Sequence, residues 1–162
     1  MLISAYNYKA WADLRTHRAI RQIDDQSPTG AIEFCQQQLN HMCIVEELFR
    51  ARLLGANDPH QATNTNLLPP LNELEERQTA GNAWFTSYIA ELDATAHDEA
   101  IRFVFADGKN GRMTRQEMLF HVLNHGTYHR GAISQALDRS GVAHPVDGYA
   151  TFAHANEPER RA

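Results

Sequence analysis

Nine histidines stand in a chain of 162 residues, and three of them recur every fourth position as His121, His125 and His129. A step of four turns an α-helix by about 40°, so the three share one broad face. His121 and His129 are still separated by roughly 12 Å along the axis. They cannot both reach one ion through bonds of about 2 Å. An adjacent pair can converge, because side chains four apart are neighbours, and a third ligand must come from another helix.

The apolar residues around the triplet decide which pair faces inward. Met118, Leu119, Val122, Ile133, Ala136 and Leu137 define one stripe at helical spacing. His129 and His125 fall in or beside it, and His121 falls outside, at the rim. Imidazoles on an apolar stripe need partners, and a metal ion supplies them. His41 lies close to Phe34, Val45 and Leu48 on an earlier segment and is the expected third ligand. Three neutral imidazoles leave at least one coordination position open, the pattern of a catalytic and not a closed structural centre. A water bound there would have its pKa lowered toward neutrality. Asp13, Asn124, Tyr128 and Arg130 are further polar candidates near such a site, none assignable as a general base. His17 reads as structural, and His60, His97, His144 and His154 carry no assigned role.

Other chemistry is excluded by what the motifs lack. His125-Gly126-Thr127-Tyr128-His129 has no glutamate after its first histidine, so it is not the H-E-x-x-H of a zinc protease. There is no C-x-x-C pair, phosphate loop or G-x-S-x-G elbow.

The elements that must position the histidines are helical. A first helix is expected from Leu2 to Asp24, with Leu2, Tyr6, Ala10, Leu14 and His17 at helical spacing and Trp11 beside them. Ser27-Pro28 opens a second, the serine capping it and the proline taking the first helical position. That helix runs to Leu54 with Phe34, Cys35, Met42, Val45, Phe49 and Leu53 on one side, and Gly55 stops it. Residues 56–70 hold Asn57, Asp58, Pro59, Asn64, Asn66, Pro69 and Pro70, a loop long enough for a crossover. A third helix follows from Leu71 to Leu92 with Leu74, Trp84, Phe85, Tyr88 and Leu92 as its apolar face. The alternation at 101–105, with turn signals at Asp107-Gly108 and Asn110-Gly111, predicts a hairpin whose second strand lies near Arg112-Met113. Thr114-Arg115-Gln116-Glu117 is a capping box that starts a last helix, Arg115 to Arg139, ended by Gly141. The tail through Asp147, Tyr149 and Phe152 is expected to pack back on the bundle. The fold class is therefore all-α: a four-helix bundle with a long crossover and a short β-hairpin before the last helix. One domain covers 1–155, and 156–162 form a frayed tail.

Composition sets the remaining bounds. Hydrophobic residues make up 43% and charged residues 22%, values of an ordinary globular domain. The formal net charge of −5 argues against nucleic acid as a partner. No apolar run approaches the ~20 residues of a membrane span. Cys35 and Cys43 share the second helix, roughly 12 Å apart along its axis, too far for a disulfide. With no secretory signal at the N-terminus, a reduced, cytoplasmic protein is expected.

The segment Leu119-Phe120-His121-Val122-Leu123-Asn124-His125-Gly126-Thr127-Tyr128-His129-Arg130-Gly131 resembles the signature helix of the DinB-like (DinB/YfiT) metalloprotein superfamily. Tyr6-Asn7-Tyr8-Lys9-Ala10-Trp11-Ala12-Asp13 resembles that family's opening, and Leu39-Asn40-His41 with Leu53-Leu54-Gly55 its second helix. The resemblance spans nearly the whole chain. It implies a four-helix bundle with a long crossover, often a homodimer, and a divalent ion, nickel or zinc, on His41, His125 and His129. Tyr128 and Ala132 stand where the family often has histidine and glutamine. Characterised relatives include S-transferases and maleylpyruvate isomerase-like enzymes that use low-molecular-weight thiols. The expected function is thus a metal-dependent thiol S-transferase or hydrolase-like enzyme. The alternative is a non-catalytic stress-response bundle, its metal structural or its dimer an interaction module.

Overall fold

A computed structural model describes residues 1–24 and 30–161. Four long helices make the body: α1 (Leu2–Ile20), α2 (Ala31–Leu54), α3 (Leu71–Glu91) and α4 (Arg115–Arg139). A 3₁₀ turn at Ala94–Asp98 and a hairpin of β1 (Ala100–Val104) and β2 (Asn110–Thr114) link α3 to α4, and a short helix α5 (Tyr149–Asn156) follows. Among the described residues no helix is long and apolar enough to cross a membrane.

The side-chain pairs fix the directions. Gln36 reaches Pro69, Glu47 pairs with Arg77, and Arg50 stacks on Trp84, so α2 and α3 lie side by side and parallel. Tyr6 meets Leu119 and Asp13 meets Arg130, so α1 and α4 are also parallel. His17 meets Gln78 while Tyr6 meets Phe85, so α1 and α3 are antiparallel. The order is up, down, down, up. Two parallel neighbours joined by one segment force that segment to run back along the bundle, which is why residues 55–70 are long and form the expected crossover.

Local signals explain the boundaries. Thr114 Oγ1 accepts from the Glu117 amide at 3.2 Å and Glu117 Oε2 accepts from the Thr114 amide at 2.7 Å, the reciprocal cap expected from sequence. Such a cap is worth about 1 kcal/mol. At the ends of α2 and α4, Gly55 and Gly141 sit at φ 66° and 72°. The next amides, of Ala56 and Val142, reach back to Ala51 and Leu137, satisfying carbonyls a side chain in that conformation would strain. The hairpin pairs Ile101 with Met113 and Arg102 with Arg112, and its inner residues Ile101, Phe103 and Met113 cover the core. The expected start at Ser27-Pro28 lies outside the described residues.

The interior has three layers. One apolar cluster holds Ile20, Cys35, Leu39, Met42, Leu74, Ile133 and Leu137. Another, at the hairpin end, holds Tyr6, Val45, Phe49, Phe85, Met118, Leu119 and Val122. Between them lies a buried ionic layer from all four helices: Lys9, Asp13, Glu46, Asn82 and Arg130. Lys9 Nζ is 2.8 Å from both Asp13 and Glu46, and Arg130 Nη1 is 2.9 Å from Asp13. Arg130 Nε also holds Asp147 at 2.8 Å. That pair, with Trp11 against Phe152, docks the tail on the bundle as expected.

Three expectations need correction. α1 ends at Ile20 and not at Asp24. Its buried face is Tyr6, Lys9, Asp13, His17 and Ile20, with Leu14 39% exposed, because the ionic layer claims positions that periodicity assigns to solvent. Phe34 is exposed as well, while the other apolar residues named on α2 are buried.

Candidate metal centre

The middle layer continues sideways into the histidines. His125 and His129 project from α4 and His41 from antiparallel α2, at the half-exposed margin of the bundle. His125 Nε2 lies 3.0 Å from the Nε2 of His41 and 3.0 Å from that of His129. One ligand atom from each residue fits within a 4.8 Å span. Tetrahedral bonds of about 2.0–2.1 Å place ligand nitrogens about 3.3 Å apart, a few tenths of an ångström more than the two 3.0 Å separations.

The outer hydrogen bonds set the tautomers. Nδ1 of His41 donates to the Thr63 carbonyl at 2.9 Å, and Nδ1 of His129 donates to Gln38 Oε1 at 2.6 Å. With its proton on Nδ1, each ring presents a lone pair at Nε2. His125 can then supply at most one N–H to two facing lone pairs. A single proton leaves one close contact unsatisfied, whereas a cation satisfies all three nitrogens. The acceptors behind the rings are the outer-shell partners that metal-binding histidines use.

Electrostatics favour the neutral rings. Burial, together with the His129 and His41 imidazoles, pushes the His125 pKa down to about 3. Burial and His41 push His129 down to about 4. Both start from 6.5 in the unfolded chain, so below that value the unfolded state binds more protons. Stability from the neutral imidazoles is full above about pH 6.5 and is lost as the pH falls toward 4. The melting temperature of the metal-free protein should therefore fall between pH 7 and pH 5, and His125→Gln should make that slope shallower. An unchanged slope in the variant would show that His125 is not held neutral.

A cleft of about 430 Å³ opens beside the cluster, lined by Gln37, Gln38, Asn40, His41, Asn64, Thr65, Leu68 and His129. Its far wall is the crossover segment. His121 stays at the rim: its ring stacks on Phe49 and His125, with centroids 4.7 and 5.4 Å away, and it is outside the convergent group. The other polar candidates scatter. Asp13 and Arg130 belong to the buried ionic layer. Asn124 lines a separate cleft with Phe120 and Leu2. Tyr128 is exposed, its ring edge-on to His129 at 5.2 Å. His17 is buried against Gln78. Both cysteines are free and buried, and burial pushes the Cys35 thiol up to about 11 and Cys43 further, so neither is a nucleophile at neutral pH. Sequence reasoning missed Thr63 and Gln38. Thr63 acts through its main-chain carbonyl, which has no sequence signature.

Protein DinB of Bacillus subtilis (strain 168) is 39% identical over 49 residues, an alignment spanning 30% of this chain and 28% of that protein. No solved structure gives a significant match. The sequence profile of the DinB family matches residues 1–161, and on that near-complete coverage the chain belongs to the DinB family.

Proposed function

We propose that His41, His125 and His129 ligate one divalent ion, and that the chain is a metal-dependent enzyme of the thiol S-transferase or hydrolase-like kind. The observation that carries the reading is the meeting of three Nε2 atoms that share at most one proton. On the family resemblance the ion is nickel or zinc. Bound there, it would lower the pKa of a thiol or water at its open position. The amides of Gln37, Gln38 and Asn64 line the adjacent cleft and are placed to hold the rest of a small molecule by hydrogen bonds. A purely structural ion is the weaker reading, since both apolar clusters close without involving the histidines.

Cobalt substitution tests the proposal. A low-molecular-weight thiol added to the cobalt-loaded protein should produce a sulfur-to-cobalt charge-transfer band. A panel of thiols giving no band, with no transfer or hydrolysis by the loaded protein, would favour the structural ion. A homodimer and a cytoplasmic location are part of the same proposal. Sedimentation velocity reads the first, and the free, buried cysteines support the second.

A further inference from the structure

The crossover segment touches the candidate centre at two adjacent points on α2. His41 donates from Nδ1 to the Thr63 carbonyl at 2.9 Å. Asn40, only 2% exposed, donates from Nδ2 to Thr65 Oγ1 at 2.7 Å. The Thr65 hydroxyl passes its own proton to the Leu67 carbonyl at 2.8 Å. Asn40 is itself steadied from α3 by Arg77, whose Nη1 donates to Asn40 Oδ1 at 3.4 Å while its other nitrogens grip Glu47 at 2.8 and 2.9 Å. His60, further back on the same segment, ties to Glu47 as well.

We propose that Asn40 is a positioning residue for the metal centre, acting through the crossover segment, so that loading the ion and docking residues 63–65 are one coupled event. The inference rests on the metal-binding reading above. Its logic is the tautomer of His41. An Nε2 lone pair is available for a ligand only while the proton sits on Nδ1, and the Thr63 carbonyl is what holds it there. Asn40 fixes Thr65, two residues on, and so fixes where that carbonyl points. The same residues, Asn64 and Thr65 with Leu68, form the cleft wall beside His41 and His129. Loading the ion therefore also completes the pocket that receives the small molecule. Coupling is reciprocal: if docking of the segment tightens the ion, the ion tightens docking by a similar factor.

Thr65→Val tests this from an exposed position, removing the bond without disturbing the core, and Asn40→Ala tests it from the other side. Cobalt titrated into each variant reads affinity, and amide hydrogen exchange over residues 62–66 reads docking. The expected results are a cobalt affinity about tenfold weaker in Thr65→Val, within the range for outer-shell partners, and exchange at 62–66 that slows on cobalt loading in the parent chain but much less in the variant. A melting temperature for metal-free Thr65→Val close to that of the parent separates positioning from general stability. Cobalt that binds with parent affinity to Thr65→Val, or that leaves exchange at 62–66 unchanged in the parent, overturns the coupling while sparing the metal site. No cobalt binding by the parent chain overturns both.

Discussion

His125→Ala should empty the centre. The parent chain is expected to carry about one ion per chain after loading and desalting, and the variant less than a tenth of that, because a three-histidine site reduced to two loses more than the 10–100-fold that follows loss of an outer-shell partner alone. His125 is the decisive residue because both 3.0 Å Nε2 contacts include it. The three rings form a compact triangle, with centroids 4.3–4.9 Å apart, His41 coming from α2 and His129 from α4. His121→Ala is the matched control. It removes an imidazole from the same helix, one turn away and stacked on His125, yet its ring is outside the convergent group. Parent-level metal in His125→Ala, or metal loss in His121→Ala, measured by elemental analysis, would sink the ligand set. Circular dichroism shows whether each variant is folded. Both apolar clusters are built without His125, so the helical signal should persist.

That His125 and His129 turn inward while His121 stays at the rim was legible because α4 is regular. Its cap and its terminal glycine fix the phase, and the apolar stripe then says which side faces in. His41 was legible as the one histidine amid apolar residues on α2. The hairpin was legible from its turn signals and alternation, and its second strand does hold Arg112 and Met113, while the register that sets Met113 opposite Ile101 comes from the structure. What differed was the end of the first helix and part of its inner face, and the reason is physical. Periodicity picks out Leu2, Tyr6, Ala10, Leu14 and His17 as the inner face, which leaves Lys9 and Asp13 out of it, Asp13 entering only as a polar candidate near the site. Their burial depends on Glu46, Asn82 and Arg130, which arrive from three other helices. A charge is buried because of its partners, and partners distant in sequence leave no local trace. The same limit hid the segment over the three histidines: proline and asparagine announced a loop, but only the parallel course of α2 and α3 brings Thr63 to His41.

Asp13→Ala should be among the most damaging single changes in the protein. Its carboxylate is spent on three partners: Oδ2 takes Lys9 at 2.8 Å and Asn82 at 2.9 Å, and Oδ1 takes Arg130 at 2.9 Å. Burial pushes its pKa up, but Lys9 and Arg130 outweigh that and hold it below the usual carboxylate range. Lys9 is fully buried and Arg130 is 1% exposed, so removing Asp13 leaves two cations that cannot turn to water. Lys9 keeps Glu46 and Arg130 keeps Asp147, which limits the damage without abolishing it. Breaking a buried pair from one side costs about 3–5 kcal/mol, and at about 2–4 °C per kcal/mol for a chain of this size the melting temperature should fall by roughly 10 °C. Glu46→Gln is the informative contrast. Burial raises the Glu46 pKa and Lys9 only partly offsets it. With Asp147 it makes three carboxylates for two cations, so Glu46→Gln removes the charge in excess and should change stability by less than about 1 kcal/mol. Denaturant unfolding of the two variants side by side decides the matter. Equal losses would mean that the layer is held by packing, and a large loss confined to Asp13→Ala that it is held by charge balance. The position of Gly126 ties this to the metal centre. A Cβ there would come within 3.1 Å of Arg130 Nη1 and 3.5 Å of Lys9 Cε, so α4 rests directly on the ionic layer at the residue next to His125. Metal affinity in folded Asp13→Ala should therefore drop together with stability, and an affinity equal to the parent's would show that the stripe of Met118, Val122 and Ile133 alone sets the rotation of α4.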